Sequence, residues 1–229
     1  MIKKMILAVI SLMLIFGLWG CAEQEKPAEE AQQASLENLK IIIDPGHGAE
    51  DVGTIGVSTG RQEKEVNLEI AQKLKKLFED EGVAVVMTRD SDEPIAPTKE
   101  DDMLKRTEII KTENADLFIS IHQNRFDTPD AKNPQVFYLS DGTKGKDLAV
   151  CMQEKLNEDL KIENPRRALS GNYRLLKPGN QPSCIVECGF FSNPEEEKLL
   201  QDSDYQDKVA AAIVDGVKYY VTKYPISAQ

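Results

Sequence analysis

The chain has 229 residues, 41% of them hydrophobic, and carries 39 acidic against 28 basic side chains for a formal charge of −11. That length suits one enzyme-sized domain with a real core. The acidic balance excludes nucleic acid, and equally an anionic membrane surface, as a partner held by bulk electrostatic attraction.

At the N-terminus, Lys3 and Lys4 precede an apolar run from Met5 to Trp19 and then Gly20 and Cys21, the layout of a secretory signal. Crossing a bilayer takes roughly 20 apolar residues, so the run is short for a span. Leu18-Trp19-Gly20-Cys21 resembles the lipobox of bacterial lipoproteins. That resemblance implies a signal peptide over residues 1–21, a lipid on Cys21, and an exported protein anchored on the outer face of the cytoplasmic membrane. In a spore former, this would place it between the two forespore membranes. An uncleaved hydrophobic anchor is the alternative. Residues 22–37 begin AEQEKPAEEAQQAS, with almost nothing apolar to bury, and read as an acidic flexible linker. Residues 38–229 are then the folded, catalytic domain.

Within that domain strands and helices alternate. LKIIID reads as a buried strand, and VNLEIAQKLKKLFED as an amphipathic helix with Leu68, Ala71, Leu74 and Phe78 on its stripe, ended by Gly82. VAVVMTR is a second strand, a helix follows near Asp101 to Thr112, and ADLFISIH is a third, nearly all-apolar strand. PQVFYLS and SCIVEC are further strands, Gly145 to Asp159 and Tyr205 to Lys223 are helices, and Asn193-Pro194 opens another. No internal repeat is detectable. This order predicts a single α/β domain: a twisted, mostly parallel sheet of about six strands with helices on both faces.

Sites in such folds gather at the carboxyl ends of the strands. The only two histidines, His47 in IIIDPGHG and His122 in ADLFISIHQN, both lie there. Neutral imidazole is the commonest protein ligand for zinc, and catalytic zinc sites use three protein ligands plus water. Glu63, in GRQEKEVNL, is a candidate third ligand, although a carboxylate at a helix start is also favoured by the helix dipole alone. Glu187, an acid near the end of the apolar strand SCIVEC, needs either a partner or a chemical role. Asp44 and Asn124 are candidates to accept a hydrogen bond from the outer nitrogen of a ligating imidazole. If Cys21 is lipidated, Cys151, Cys184 and Cys188 are an odd set, and they read as ordinary buried thiols rather than ligands or a disulfide framework.

DPGHG, EKEVNLEIA, ADLFISIHQN and CIVECGFFSNPEE, in that order, resemble the zinc-dependent N-acetylmuramoyl-L-alanine amidases over about Leu39 to Tyr224. The resemblance implies His47, Glu63 and His122 as zinc ligands, Glu187 as the catalytic glutamate, and peptidoglycan glycan strands bearing peptide stems as substrate. TRDSDEPIAPTKEDDMLKRTEII and DYQDKVAAAIVDGVKYY are most similar to the short amidases of spore-forming bacteria, which implies work on the spore cortex during sporulation and germination. The pattern departs from the family at Asn133-Pro134, where a glycine-containing turn is expected, and at Arg125-Phe126 after the asparagine. The short stretch between His122 and PQVFY leaves little room for a self-blocking helix, so a regulatory protein partner is the expected means of control. Two other readings stay open here: a non-catalytic lipoprotein that binds muropeptide or a partner, and a zinc peptidase that cuts within the stem.

Overall fold

The computed structural model describes residues 35–226. The signal segment, Cys21 and nearly all of the predicted linker lie outside the described residues.

Six strands form one sheet in the order β2-β1-β3-β6-β4-β5. They are β1 (Lys40–Pro45), β2 (Ala84–Met87), β3 (Leu117–Asn124), β4 (Gln135–Tyr138), β5 (Leu169–Ser170) and β6 (Ser183–Phe190). β2, β1, β3 and β6 run parallel, while β4 pairs antiparallel with β6 and carries β5 parallel beside it. The helices are α1 (Glu63–Asp80), α2 (Lys99–Thr112), α3 (Lys144–Asp159), α4 (Pro194–Leu200) and α5 (Ser203–Lys223), with a 3₁₀ turn at Arg174–Leu176. The two-residue β5 and the 3₁₀ turn are too short to leave a periodic signal in the sequence.

The central strands read as unbroken apolar runs because both of their faces are covered. Ile41 and Ile43 face a core with Val66, Ile70, Leu148, Met152, Val209 and Ile213 from α1, α3 and α5. Ile42, Phe118 and Ile185 face the opposite way, against Ile110 of α2 and Leu175 and Leu176 of the 3₁₀ turn. Each fully buried aliphatic side chain contributes about 1.5–3 kcal/mol relative to exposure, so both layers have a substantial apolar drive. Cys151, Cys184 and Cys188 are free, buried members of the larger cluster, as expected of ordinary thiols.

In α1 the stripe departs from the expected one. Val66, Ile70, Ala71, Leu74 and Phe78 are buried but Leu68 is not, and the position one turn before Ala71 is the buried Asn67. That polar side chain belongs to the candidate site described next. Gly82, at φ 80, follows the helix and turns the chain into β2.

Candidate metal centre

Strand order and strand period place the site. β1 lies between β2 and β3, so the chain reverses its direction of travel across the sheet at the β1/β3 boundary, where α/β folds form crevices. On the α2 side of the sheet, Ile42 pairs with Phe118 and Asp44 with Ser120, and one step further along β3 His122 pairs with Glu187 of β6. Successive side chains alternate faces, so this face changes from apolar to polar as it approaches the carboxyl ends.

His47 follows β1 in the turn DPGHG, His122 sits in β3, and Glu63 is the first residue of α1. Their ligand atoms all lie within 4.8 Å of one another, a group that could hold a metal ion. His47 Nε2 is 3.2 Å and His122 Nδ1 3.1 Å from the same Glu63 oxygen, Oε1. The Glu63 side chain is only 3% exposed, so it is no mere helix-end charge. Its Oε2 accepts from Thr54 N–H at 2.8 Å, and its Oε1 from Gln123 N–H at 3.1 Å and from Asn67 Nδ2. Burial opposes its ionisation, but hydrogen bonds and charge from His122 and His47 prevail and hold the carboxyl well below the usual range.

Close approach in the centre depends on two glycines. A Cβ at Gly46 would overlap the His122 ring. At Gly53, φ is 68 and a Cβ would lie 2.7 Å from both Glu63 Oε2 and His47 Cδ2. His47 itself is left-handed at φ 61, an uncommon state for a residue with a side chain and one that persists only where surroundings impose it.

Those surroundings include two buried arginines. Arg89 donates to Pro45 O at 2.9 Å, Gly46 O at 3.0 Å and Lys64 O at 2.8 Å. Arg106 donates to Pro45 O at 2.9 Å, His47 O at 2.7 Å and Asp44 Oδ1 at 2.6 Å. Four of these six bonds go to carbonyls of the turn that carries His47. Burial, with Arg106 alongside, lowers the Arg89 pKa to about 10, so it remains a cation near neutral pH.

Glu187 is buried, and its Oε2 has no hydrogen-bond partner among the described residues. Burial is the main reason its pKa rises to about 7. The His122 pKa rises to about 9: burial favours the neutral ring, but the Glu63 hydrogen bond and the charges of Glu187, Glu63 and Asp44 outweigh it. The centre is therefore rich in negative charge and lone pairs, which suits a cation. Beside it lies a cavity of about 440 Å³, lined by His47, His122, Met103, Tyr173, Leu175 and others, with apolar walls and polar groups at the ligand end.

A family model described as N-acetylmuramoyl-L-alanine amidase matches residues 41–219. The chain belongs to this amidase family. The germination-specific N-acetylmuramoyl-L-alanine amidase of Bacillus subtilis is 33% identical over 196 residues, with 82% of each chain covered. Among solved structures, the CwlD amidase of Clostridioides difficile, determined in complex with the GerS lipoprotein, is similar at TM-score 0.77 and 37% identity, over 81% of this chain and 100% of that one. The N-acetylmuramoyl-L-alanine amidase of Clostridium difficile 630 matches at TM-score 0.74 and 32% identity, over 81% and 98%. The chain is thus an amide hydrolase acting on peptidoglycan rather than a binding-only lipoprotein.

Against that family frame, the structure gathers His47, Glu63 and His122 and sets Glu187 next to His122 in register. The outer acceptors differ from expectation. Asp44 bonds Thr88, Ser120 and Arg106 and neither imidazole, and the Asn124 side chain accepts from Arg125 N–H at 2.8 Å. Asp51 accepts from the His47 ring instead, at 3.0 Å. Asp51, Arg89, Arg106 and Asn67 also support the ligand group, and none of them is among the candidates drawn from the sequence. Arg106 had a usable signal, since it shares the buried face of α2 with Ile110. At the departure from the family pattern, Asn133 takes φ 79, a conformation asparagine tolerates better than most residues, and so supplies the turn expected of glycine.

Proposed function

We propose that this amidase is zinc-dependent, with His47, Glu63 and His122 holding the ion and Glu187 moving the proton, and that it serves spore-cortex maturation by preparing muramic δ-lactam. The observation that carries the reading is the buried Glu187 carboxylate, whose Oε2 has no partner among the described residues, adjacent in register to a two-imidazole, one-carboxylate group. Three protein ligands of that kind leave a coordination position open, as in catalytic rather than structural zinc sites. Held by His47, Glu63 and His122, a zinc ion would supply Lewis-acid polarisation of the scissile carbonyl and a water nucleophilic near neutral pH.

Glu187 accepts the proton that the attacking water loses and returns it to the departing L-alanine nitrogen. The carbon–nitrogen bond breaks, leaving a lactyl carboxylate on the sugar and a free amine on the stem. A buried carboxyl beside the ligand group, with nothing bonded to its Oε2 among the described residues, is placed to take a proton and give it back. The cortex role is supported by the likeness to a germination-specific amidase and to CwlD. The latter's complex with a lipoprotein also supports a protein partner as the means of control.

Mass spectrometry of muropeptides, after incubating the purified chain with peptidoglycan with and without zinc, tests this reading. Metal-dependent release of intact stems beginning with L-alanine is expected, and new ends within the stem would mark a peptidase. His47→Ala, Glu63→Ala and His122→Ala are each expected to lose zinc and stem release together. Full zinc occupancy in any of them would reassign that ligand.

Anchoring through Cys21, in an exported protein, forms part of the same proposal and rests on the lipobox-like Leu18-Trp19-Gly20-Cys21. Among the described residues no helix is long and apolar enough to cross a membrane. Cys21→Ala is expected to move the protein out of the membrane fraction, and an unchanged distribution would favour a retained hydrophobic anchor.

A further inference from the structure

His47 is engaged at both ring nitrogens. Its Nε2 points into the ligand group, 3.2 Å from Glu63 Oε1, while Nδ1 lies 3.0 Å from Asp51 Oδ2. The backbone folds Asp51 back onto the ring: Gly48 N–H donates to Asp51 O and Asp51 N–H to Gly48 O, each at 2.9 Å. Lys99 Nζ, at the start of α2, lies 2.9 Å from the same Asp51 oxygen. Asp92, in the segment between β2 and α2, accepts from Ala49 N–H of the turn that carries His47 at 3.0 Å and from Lys64 Nζ of α1 at 2.7 Å.

A neutral imidazole donates from one nitrogen and accepts at the other. Both His47 nitrogens face a carboxylate, but Glu63 belongs to the ligand group. With a cation taking up its charge, Asp51 is the remaining acceptor, and it selects the tautomer protonated at Nδ1 with the Nε2 lone pair directed at the ligand group. His122 has no such support, because its Nδ1 faces the shared Glu63 oxygen itself. The two imidazoles are therefore oriented by different means: His122 by its place in β3 and the Gly46 contact, and His47, on a left-handed turn residue, by a side-chain carboxylate.

We propose that Asp51 is the positioning residue of the metal centre, fixing His47 as the Nδ1-protonated tautomer so that Nε2 meets the ion, with Lys99 holding Asp51 in place. The inference rests on the reading of His47 as a zinc ligand. Outer carboxylates of this kind change metal affinity by about 10–100-fold.

The test is zinc affinity of the full chain, measured by competition with a chromophoric chelator, together with the melting temperature of the metal-free protein. Asp51→Ala is expected to bind zinc about 10–100-fold more weakly with little change in the metal-free melt, and Asp51→Asn, which keeps an oxygen within reach of Nδ1, to recover part of the loss. Zinc affinity in Asp51→Ala equal to wild type would overturn the inference while leaving the ligand set intact. A wild-type chain that takes up no zinc overturns the ligand reading and this inference together. Nitrogen NMR of the zinc-loaded wild type gives an independent check, since a His47 ring that meets the ion through Nδ1 and is protonated at Nε2 sinks the proposal whether or not the variants fold.

Discussion

Glu187→Gln is expected to lower stem release by a factor of about 10²–10⁴ while zinc uptake stays near stoichiometric. Glutamine matches the volume of glutamate but its amide cannot shuttle a proton, so the loss should fall on turnover rather than on metal binding. The substitution should not harm the fold, because Oε2 of Glu187 has no hydrogen bond to lose. It should even stabilise the metal-free protein over part of the pH range. Burial raises the folded-state pKa of Glu187 to about 7, above the unfolded value of about 4.3. The cost of an ionised, buried Glu187 is thus fully present above the folded pKa and vanishes as pH falls below the unfolded one. The melting temperature of metal-stripped Glu187→Gln should exceed wild type at mildly alkaline pH, and the two should converge in acid. Near-wild-type turnover in this variant would remove Glu187 from its role, and a variant less stable than wild type at alkaline pH would mean the carboxylate has partners.

The sheet, the two histidines and Glu187 left strong local marks, whereas Glu63 did not: a carboxylate at a helix start is explained by the helix dipole alone, and the resemblance of EKEVNLEIA is what singles it out. Ile41-Ile42-Ile43 could only be a strand covered on both faces, and a strand that ends in DPGHG or SIHQN puts its histidine where α/β folds place ligands. Glu187 stood out as a charge in a run that is buried from end to end. The two arginine clamps were not legible, since their bonds to the turn that carries His47 span 40 or more positions: Arg89 to Pro45 and Arg106 to His47 are 44 and 59 residues apart in the chain. Asp51 was missed for the opposite reason. It is only four residues from His47, but whether a side chain at that spacing reaches the ring depends on the left-handed turn at 47–49, which no periodicity announces. Asn67 was hidden by a helical stripe that looked complete with Leu68 at its start, one residue out of register.

The same long-range shell makes Arg106 the side chain whose loss should cost the fold most. Arg106→Met is expected to destabilise the protein by about 3–5 kcal/mol at neutral pH, the usual cost of leaving one member of a buried pair without its partner. For a domain of this size that corresponds to a fall in melting temperature of roughly 6–20 °C. The pair is deep: the Arg106 side chain is 2% and that of Asp44 0% exposed. Burial opposes the ionised Asp44, yet Arg106, Ser120 and Thr88 together hold its carboxyl below the usual range. Methionine fills much of the space but leaves the Asp44 charge with only the Thr88 and Ser120 hydroxyls, and it also frees Asp102, Pro45 O and His47 O. The pH dependence separates this account from simple misfit. In wild type the depressed folded pKa gives stability that is present above the unfolded value of about 3.9 and lost as pH falls through the folded one. In the variant, burial without the arginine pushes the Asp44 pKa upward, so its cost is greatest near neutral pH and fades as the group protonates. Urea unfolding across the acid range should therefore show the gap between wild type and Arg106→Met closing as pH falls. Parallel profiles would mean that packing rather than the stranded charge sets the loss. Arg106→Lys keeps the charge but not the planar fork that reaches Asp44, Pro45 O and His47 O at once. It should recover part of the stability while leaving zinc affinity below wild type, because the turn that carries His47 would still lack one of its two arginine clamps.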